Sequence, residues 1–403
     1  GGVYGSVAGA RRQGAGRAGP RGCGPAGRGP GARRSSTRPS SFCSTPGMAT
    51  ERFLSVFMDQ NNKCNLRCVM CGFSDPRVPG LGKYDMPLAL FEKVVAEVLP
   101  ATSYLALSCL TEPYMTRDFD LRLELASRSG VPFTEVITNG TLWNEERVEK
   151  LVACRVSRVA VSIDGATAAT YERIRVGARF DRVLSNVRML TERKRRAGSP
   201  FPALRINHVL SEANVEEFPA FLAMAEELGA DGVDVRTVAR MSDAVYKGTA
   251  DAAFYGKVLW VRDELRAFTE RTGIADWGVL RWQPSPIDLF AADGGKVTCR
   301  RPWDTVAIHA NGDVSPCISW TRPPVGNLAR SSFGEIWGGP ALAALREEFT
   351  ASRPGIDCEH CVVKKSSTPE EDDDFFYRML AKPAPESSSR EGRDGSAASD
   401  APA

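Results

Sequence analysis

A chain of 403 residues with 42% hydrophobic and 25% charged residues has a globular composition and room for one large domain and a smaller one. Its net charge of +3 hides a split, because residues 1–47 hold eight Arg and no Asp, Glu or Lys, and the remainder carries −5 with no basic excess to bind nucleic acid. No apolar run approaches the ~20 residues of a membrane span and no hydrophobic signal segment is visible, so eleven Cys argue for metal or catalysis in a reducing, cytoplasmic compartment.

Residues 1–47 are Gly, Arg, Ala, Pro and Ser almost throughout, too poor in aliphatic side chains to offset their ordering entropy, and are expected to be disordered. The simplest reading places them upstream of a true start at Met48; a transit peptide would need an amphipathic face that the segment lacks. Residues 48–240 alternate short apolar runs with longer amphipathic ones, which predicts βα units around a parallel sheet. Expected strands are Phe53 to Asp59, Tyr104 to Ser108, Phe133 to Thr138, Arg158 to Ile163, Leu204 to Leu210 and Gly232 to Arg236. Expected helices are Leu88 to Leu99, Phe119 to Ser129, Asn144 to Cys154, Phe180 to Ala197 and Val215 to Leu228. Six such units imply an α/β fold with a partial (β/α)6 barrel. Residues 241–296 read as a helical connector and 297–363 as a small α+β module bearing Cys. Residues 364–403 read as an acidic, largely disordered tail.

Nine Cys follow residue 47, and seven of them fall into two spaced groups. The first is Cys64-Asn65-Leu66-Arg67-Cys68-Val69-Met70-Cys71, just after the first strand, where a barrel carries its functional loops. Three thiolates so close together can hold three irons of a cubane cluster and leave the fourth open to a small molecule, since such clusters favour four thiolates. A zinc site would need a fourth ligand, and no His or Cys follows within the next thirty residues. Cys109 and Cys154 stand apart and read as small buried hydrophobes.

The CxxxCxxC loop after strand one resembles the signature of the radical S-adenosylmethionine (SAM) superfamily, with the resemblance running over roughly residues 53 to 236. It implies a core [4Fe-4S] cluster on Cys64, Cys68 and Cys71, SAM chelated on the open iron, and Met70 lying along the adenine, where an aromatic is commoner. Ser108-Cys109-Leu110-Thr111-Glu112-Pro113 resembles the family's loop after strand two without its glycines, and Glu112 carries over as a contact to the SAM ammonium. Asn139 in the Thr138-Asn139-Gly140 turn, Ser162 and Asp164 in Ser162-Ile163-Asp164-Gly165, and Arg175 resemble further SAM contacts.

Cys299, then Gly312-Asp313-Val314-Ser315-Pro316-Cys317, then Cys358-Glu359-His360-Cys361 resembles the Twitch or SPASM extension of that family. Asn311-Gly312 is hairpin chemistry in its own right. The resemblance implies an auxiliary [4Fe-4S] cluster on Cys299, Cys317, Cys358 and Cys361, although four thiolates also suit zinc. A full SPASM pattern carries more cysteines, so one auxiliary cluster is expected.

By this resemblance the protein is expected to cleave SAM reductively and to remove hydrogen from a substrate. The leading reading is a two-electron oxidation of a small molecule, similar to the amino-cyclitol dehydrogenase of aminoglycoside biosynthesis. The alternative is a peptide or protein maturase. A third reading, a non-catalytic cluster-binding or electron-carrier protein, leaves Glu112 and the barrel unexplained. An electron donor such as flavodoxin or ferredoxin is the expected partner, with neither nucleic acid nor membrane involved. No motif names the substrate or a general base.

Overall fold

The strand pattern begins at Leu54, where alternate apolar residues Leu54, Val56 and Met58 are fully buried while Ser55 and Phe57 face the other way. The computed structural model describes residues 51–237, 252–277, 299–318, 320 and 322–351, all within one compact unit, Gly47–Ala403. The elements begin with β1 (Leu54–Met58), β2 (Arg67–Cys68), α1 (Leu88–Glu97), β3 (Thr102–Ala106), α2 (Phe119–Arg128), β4 (Phe133–Thr138) and α3 (Glu145–Ala153). Next come β5 (Arg158–Ser162), α4 (Ala168–Ile174), β6 (Arg175–Val176), α5 (Phe180–Arg196), β7 (Ala203–Leu210), α6 (Phe218–Glu227) and β8 (Gly232–Thr237). The chain continues with α7 (Ala252–Thr272), β9 (Ala275–Asp276), α8 (Arg301–Asp304), β10 (Thr305–Ile308), β11 (Asp313–Ser315), β12 (Gly326–Asn327), α9 (Phe333–Trp337) and α10 (Pro340–Thr350).

Ten strands form one sheet in the order β12-β11-β10-β1-β3-β4-β5-β7-β8-β9, parallel from β10 to β9 and antiparallel at β10-β11 and β11-β12. The six expected strands appear in the expected order as β1, β3, β4, β5, β7 and β8, the architecture of a partial barrel. One face packs against the helices: Val136, Val159, Val161, Leu204, Ile206 and Val233 meet Val183, Val187, Phe218 and Phe221 in a single apolar core. Each such side chain contributes roughly 1.5–3 kcal/mol by leaving water. Helix starts follow their caps. Asn144 accepts the Arg147 amide at 2.9 Å, and Ser332 with Glu335 forms a capping box on α9.

Two features differ from expectation. Helix α4 was not anticipated, because seven residues are too few to show an amphipathic period. The C-terminal module is also not a separate layer: β10 lies parallel beside β1, with Val306 opposite Val56 and Ile308 opposite Met58. Helix α1 holds the module from the side, with Lys93 Nζ donating to the Leu328 and Ser331 carbonyls at 2.8 and 2.9 Å and Glu97 accepting the Phe333 amide at 2.8 Å. Within the expected connector, α7 is helical and β9 adds a last strand to the sheet. The expectations for residues 1–47 and 364–403, and for Cys358, His360 and Cys361, lie outside the described residues. Among the described residues no helix is long and apolar enough to cross a membrane.

Candidate active site

The three-cysteine loop is closed by backbone pairing. Strand β2 pairs antiparallel with β6, which sets Cys68 opposite Arg175, and the Val69 amide donates to the Ile174 carbonyl at 2.9 Å. The Cys71 amide returns to the Cys68 carbonyl at 3.0 Å. Cys68 is buried, Cys64 and Cys71 are half-buried, and all three are free of disulfides. Burial pushes the Cys64 thiol up to about 12 and the Cys71 thiol up to about 11, and raises Cys68 as well. Such thiols become thiolates only beside positive charge, which metal ions supply. Among the described residues no three His, Cys, Asp or Glu side chains gather around a single ion position. A cubane cluster asks for something else, one thiolate on each of several irons.

Donors to sulfur are already in place. The Leu66 amide lies 3.5 Å from Cys64 Sγ, Asn139 Nδ2 4.0 Å from the same atom, and Arg175 Nη1 3.9 Å from Cys68 Sγ. Arg175 also forms an ion pair with Asp164, Nη2 to Oδ2 at 2.7 Å, and its buried Nε has no hydrogen-bond partner among the described residues. The donor set, the dry thiols and this unpartnered cationic edge fit a thiolate-bound cluster with an anionic ligand beside it.

Glu112 is 2% exposed. Its Oε1 accepts from Thr138 Oγ1 at 2.7 Å and the Tyr114 amide at 3.3 Å, and its Oε2 accepts the Asn139 amide at 2.8 Å. Burial pushes this carboxyl up to about 7 against those hydrogen bonds. Asn139 in turn donates to Asn65 Oδ1 at 2.9 Å, and Asn65 donates to Thr141 Oγ1 at 2.9 Å, so the turn after β4 grips the cysteine loop. Gly140 holds φ +71 in that turn, and a Cβ on Gly165 would sit 2.6 Å from the Tyr171 amide nitrogen, so both positions require glycine. Asp164 Oδ1 also accepts the Val209 amide at 2.7 Å. Ser162 ends β5 opposite Asn207, and Met70 is half-buried against the apolar core.

The sheet face away from the helices is charged. Glu135 accepts from Arg158 Nε and Nη2 at 2.8 and 3.0 Å, pairs with Arg205 Nη2 at 3.0 Å, and takes the Tyr104 hydroxyl. Asp234 pairs with Arg236 Nη2 at 2.6 Å and with Arg205 Nη1 at 3.7 Å. Trp277, following β9, stacks under Arg158 at 5.5 Å. Cys154, expected to be buried, is half-buried against the apolar core; Cys109 has Asp59, Arg236 and Arg301 for neighbours, and burial pushes its thiol up.

Cys299 and Cys317 pack against one apolar cluster of Trp320, Leu342, Leu345 and Phe349. Between them the β10-β11 hairpin turns at Gly312, with Ala307 opposite Ser315. Sequence reasoning missed Asp59, Gln60, Asn61 and Asn65, although a run of acid and amides flanking Cys64 was the available signal. Gln60 Nε2 donates to the Leu107 carbonyl at 2.9 Å and Asn61 Nδ2 to the Glu112 carbonyl at 3.0 Å.

An open parallel barrel with a cysteine loop at the C-terminal strand ends and a cysteine-bearing module fused to its first strand defines a class of α/β enzyme. Family models identify it: the radical SAM superfamily matches residues 61–223 and SPASM, an iron–sulfur cluster-binding domain, matches residues 299–362. The chain thus carries a radical SAM domain, with a SPASM domain behind the barrel. The AdoMet-dependent heme synthase of Methanosarcina barkeri is 37% identical over 177 residues, 41% of this chain, and the match spans less than half of that protein, 45%. A PqqA peptide cyclase of Xanthomonas campestris pv. campestris is 25% identical over 322 residues, 76% of this chain and 79% of that protein. Streptococcus suis SuiB bound to S-adenosylmethionine shares the fold with a TM-score of 0.58 at 16% identity, over 78% of this chain and 71% of that one. The anSMEcpe structure with bound AdoMet does so with a TM-score of 0.57 at 16% identity, over 81% of this chain and 96% of that one.

Proposed function

We propose that the protein is a peptide maturase, a radical SAM enzyme that removes hydrogen from a peptide substrate and leaves it oxidised or cross-linked. The observation that carries this reading is the length of the PqqA peptide cyclase match, 76% of this chain and 79% of that protein, a span longer than the barrel by itself. It displaces the small-molecule dehydrogenase favoured by the sequence. That reading keeps one point in its favour, the 37% identity to a heme synthase, which extends over only 177 residues.

SAM and a reduced cluster supply the hydrogen-abstracting radical when bound, and the protein's part is binding, orientation and exclusion of water. Cys64, Cys68 and Cys71 hold the core [4Fe-4S] cluster, with the Leu66 amide, Asn139 and Arg175 stabilising the thiolates by donation to sulfur. Arg175 offers its unpartnered Nε to the SAM carboxylate while Asp164 fixes the guanidinium. Met70, Ser162 and Asn139 line the nucleoside side, and Glu112 braces the turn that carries Asn139. Cys299 and Cys317, completed by Cys358 and Cys361, hold a single auxiliary [4Fe-4S] cluster. A flavodoxin or ferredoxin supplies electrons.

The test is anaerobic incubation of reconstituted protein with SAM, a reductant and the short peptides encoded beside its gene, read by mass spectrometry. Loss of a hydrogen pair from one peptide, dependent on SAM, is the expected result. Turnover of a small carboxylate or alcohol with every peptide left intact would reject the reading.

A further inference from the structure

Asp59, one residue past β1, is 6% exposed and has a single oxygen heavily used. Its Oδ1 accepts from three successive amides, Cys109 at 3.0 Å, Leu110 at 3.1 Å and Thr111 at 3.2 Å, and from Thr111 Oγ1 at 2.9 Å. Burying a carboxylate is costly unless donors surround it, and four donors on one oxygen are a strong constraint on the loop that supplies them.

That constraint has a geometric consequence. In a trans peptide the carbonyl points opposite to the amide of the next residue. Three amides aimed at Asp59 therefore turn the carbonyls of Ser108, Cys109 and Leu110 to the far side of the loop. Among the described residues no donor reaches the Cys109 or Leu110 carbonyl oxygen. Both ends of the loop are tied down, by Ser108 Oγ donating to the Thr111 carbonyl at 2.6 Å and by the Glu112 amide donating to the Lys63 carbonyl at 3.0 Å. The Leu110 side chain packs in the same small apolar cluster as Cys64 and Cys71, so the loop adjoins the cysteine loop.

We propose that Asp59 is a positioning residue: it holds the loop after β3 with its carbonyl oxygens turned outward, and so builds the acceptor side that receives the ammonium group of SAM. In a loop without glycine, side-chain anchoring by Asp59 replaces the backbone freedom that glycine would give. The inference rests on the reading that SAM binds beside Cys64, Cys68 and Cys71.

The experiment compares the full chain with Asp59→Ala and Asp59→Asn. Amide hydrogen exchange on cofactor-free protein reads the loop, and equilibrium dialysis on cluster-loaded protein reads affinity for SAM and for the analogue in which hydrogen replaces its amino group. In Asp59→Ala, exchange at Cys109, Leu110 and Thr111 should accelerate and SAM affinity should fall about tenfold, the loss expected for a displaced charge-assisted contact. Affinity for the deaminated analogue should barely move, and Asp59→Asn, which keeps an acceptor oxygen, should recover most of both losses. Equal weakening toward both ligands, or unchanged exchange at the three amides, would overturn the proposal. Should Asp59→Ala fail to fold, the same two measurements on Thr111→Val decide it, since that change removes one of the donors to Asp59 without leaving a cavity: exchange at the three amides should still accelerate and affinity should fall more for SAM than for the deaminated analogue, and no change in either would overturn the proposal. Parent protein that binds no SAM would overturn the site itself, a different failure from a parent that binds and variants that match it.

Discussion

Arg175 and Asp164 meet across the site, Nη2 to Oδ2 at 2.7 Å, with Asp164 fully buried and the arginine's Nη1 3.9 Å from Cys68 Sγ. A pair this dry is costly to break from one side, because the partner left behind is an unpaired buried charge. Arg175→Met should therefore lower stability by about 3–5 kcal/mol. Asp164→Asn should do the same, and the double variant should lose less than the two single losses combined. Denaturant unfolding of the four proteins measures this. A midpoint in Arg175→Met equal to the parent's would mean that the pair carries no such weight.

Glu135 makes a second, sharper comparison. It is 1% exposed and is held by Arg158, Arg205 and the Tyr104 hydroxyl, whereas Glu124 pairs with Lys150 and Arg128 on the surface. Glu135→Gln leaves two arginines facing an amide and should cost about 3–5 kcal/mol. Glu124→Gln should leave the melting temperature almost unchanged, because water and salt screen exposed pairs. Equal effects of the two changes would contradict a buried network on the inner face of the sheet.

Much of this was legible in the sequence, for identifiable reasons. The strands could be read because runs such as Val159-Ala160-Val161 are buried on both faces and leave no ambiguity of period. The cysteine loop could be read because three thiols at that spacing have few other uses. The inner-face charges could not: Glu135, Arg158, Arg205 and Asp234 lie on four different strands, and only the parallel register brings them together. Nor could the placement of β10 beside β1, since a four-residue apolar strand does not state its partner. Asp59 and Asn65 were hidden for a related reason, as their partners lie 50 to 76 residues away.

His208 should leave a trace in the pH dependence of stability. Its Nδ1 is 2.9 Å from the Ile163 carbonyl, its ring lies 4.1 Å from that of Phe221, and burial lowers its pKa below the ordinary 6.5 against the attraction of Asp164 and Glu217 and with the repulsion of Arg175. Well above pH 6.5 the ring is neutral in both the folded and the unfolded chain, so the group is silent there. As pH falls below 6.5 the unfolded chain takes up the proton first, and stability is lost. His208→Phe removes that titration, so its stability should fall less steeply than the parent's between pH 6.5 and about pH 5, at the cost of about 1 kcal/mol at neutral pH from the lost hydrogen bond. Unfolding curves at a series of pH values test this, and parallel pH profiles would show that His208 titrates alike in both states.

The two groups of cysteines should behave as independent metal sites. Anaerobically reconstituted protein should hold about eight irons and eight sulfides per chain, as two cubane clusters require. Changing Cys64, Cys68 and Cys71 together to Ala should leave about half of that iron, ligated by the C-terminal group. Cys317→Ala should remove the other half while reductive SAM cleavage continues, because that step depends on the Cys64 loop. A structural effect could mimic the second result, since Cys299 and Cys317 also pack on Trp320, Leu342, Leu345 and Phe349, and losing a metal site can unfold so small a cluster. Near-ultraviolet circular dichroism of Trp320 and Trp337, which border that cluster, separates the two. Retention of the parent's tryptophan signal with half the iron and full SAM cleavage supports independent sites. If a variant with that signal intact loses the iron of both groups, or if the C-terminal group takes up stoichiometric zinc in place of iron, the two-cluster assignment is wrong.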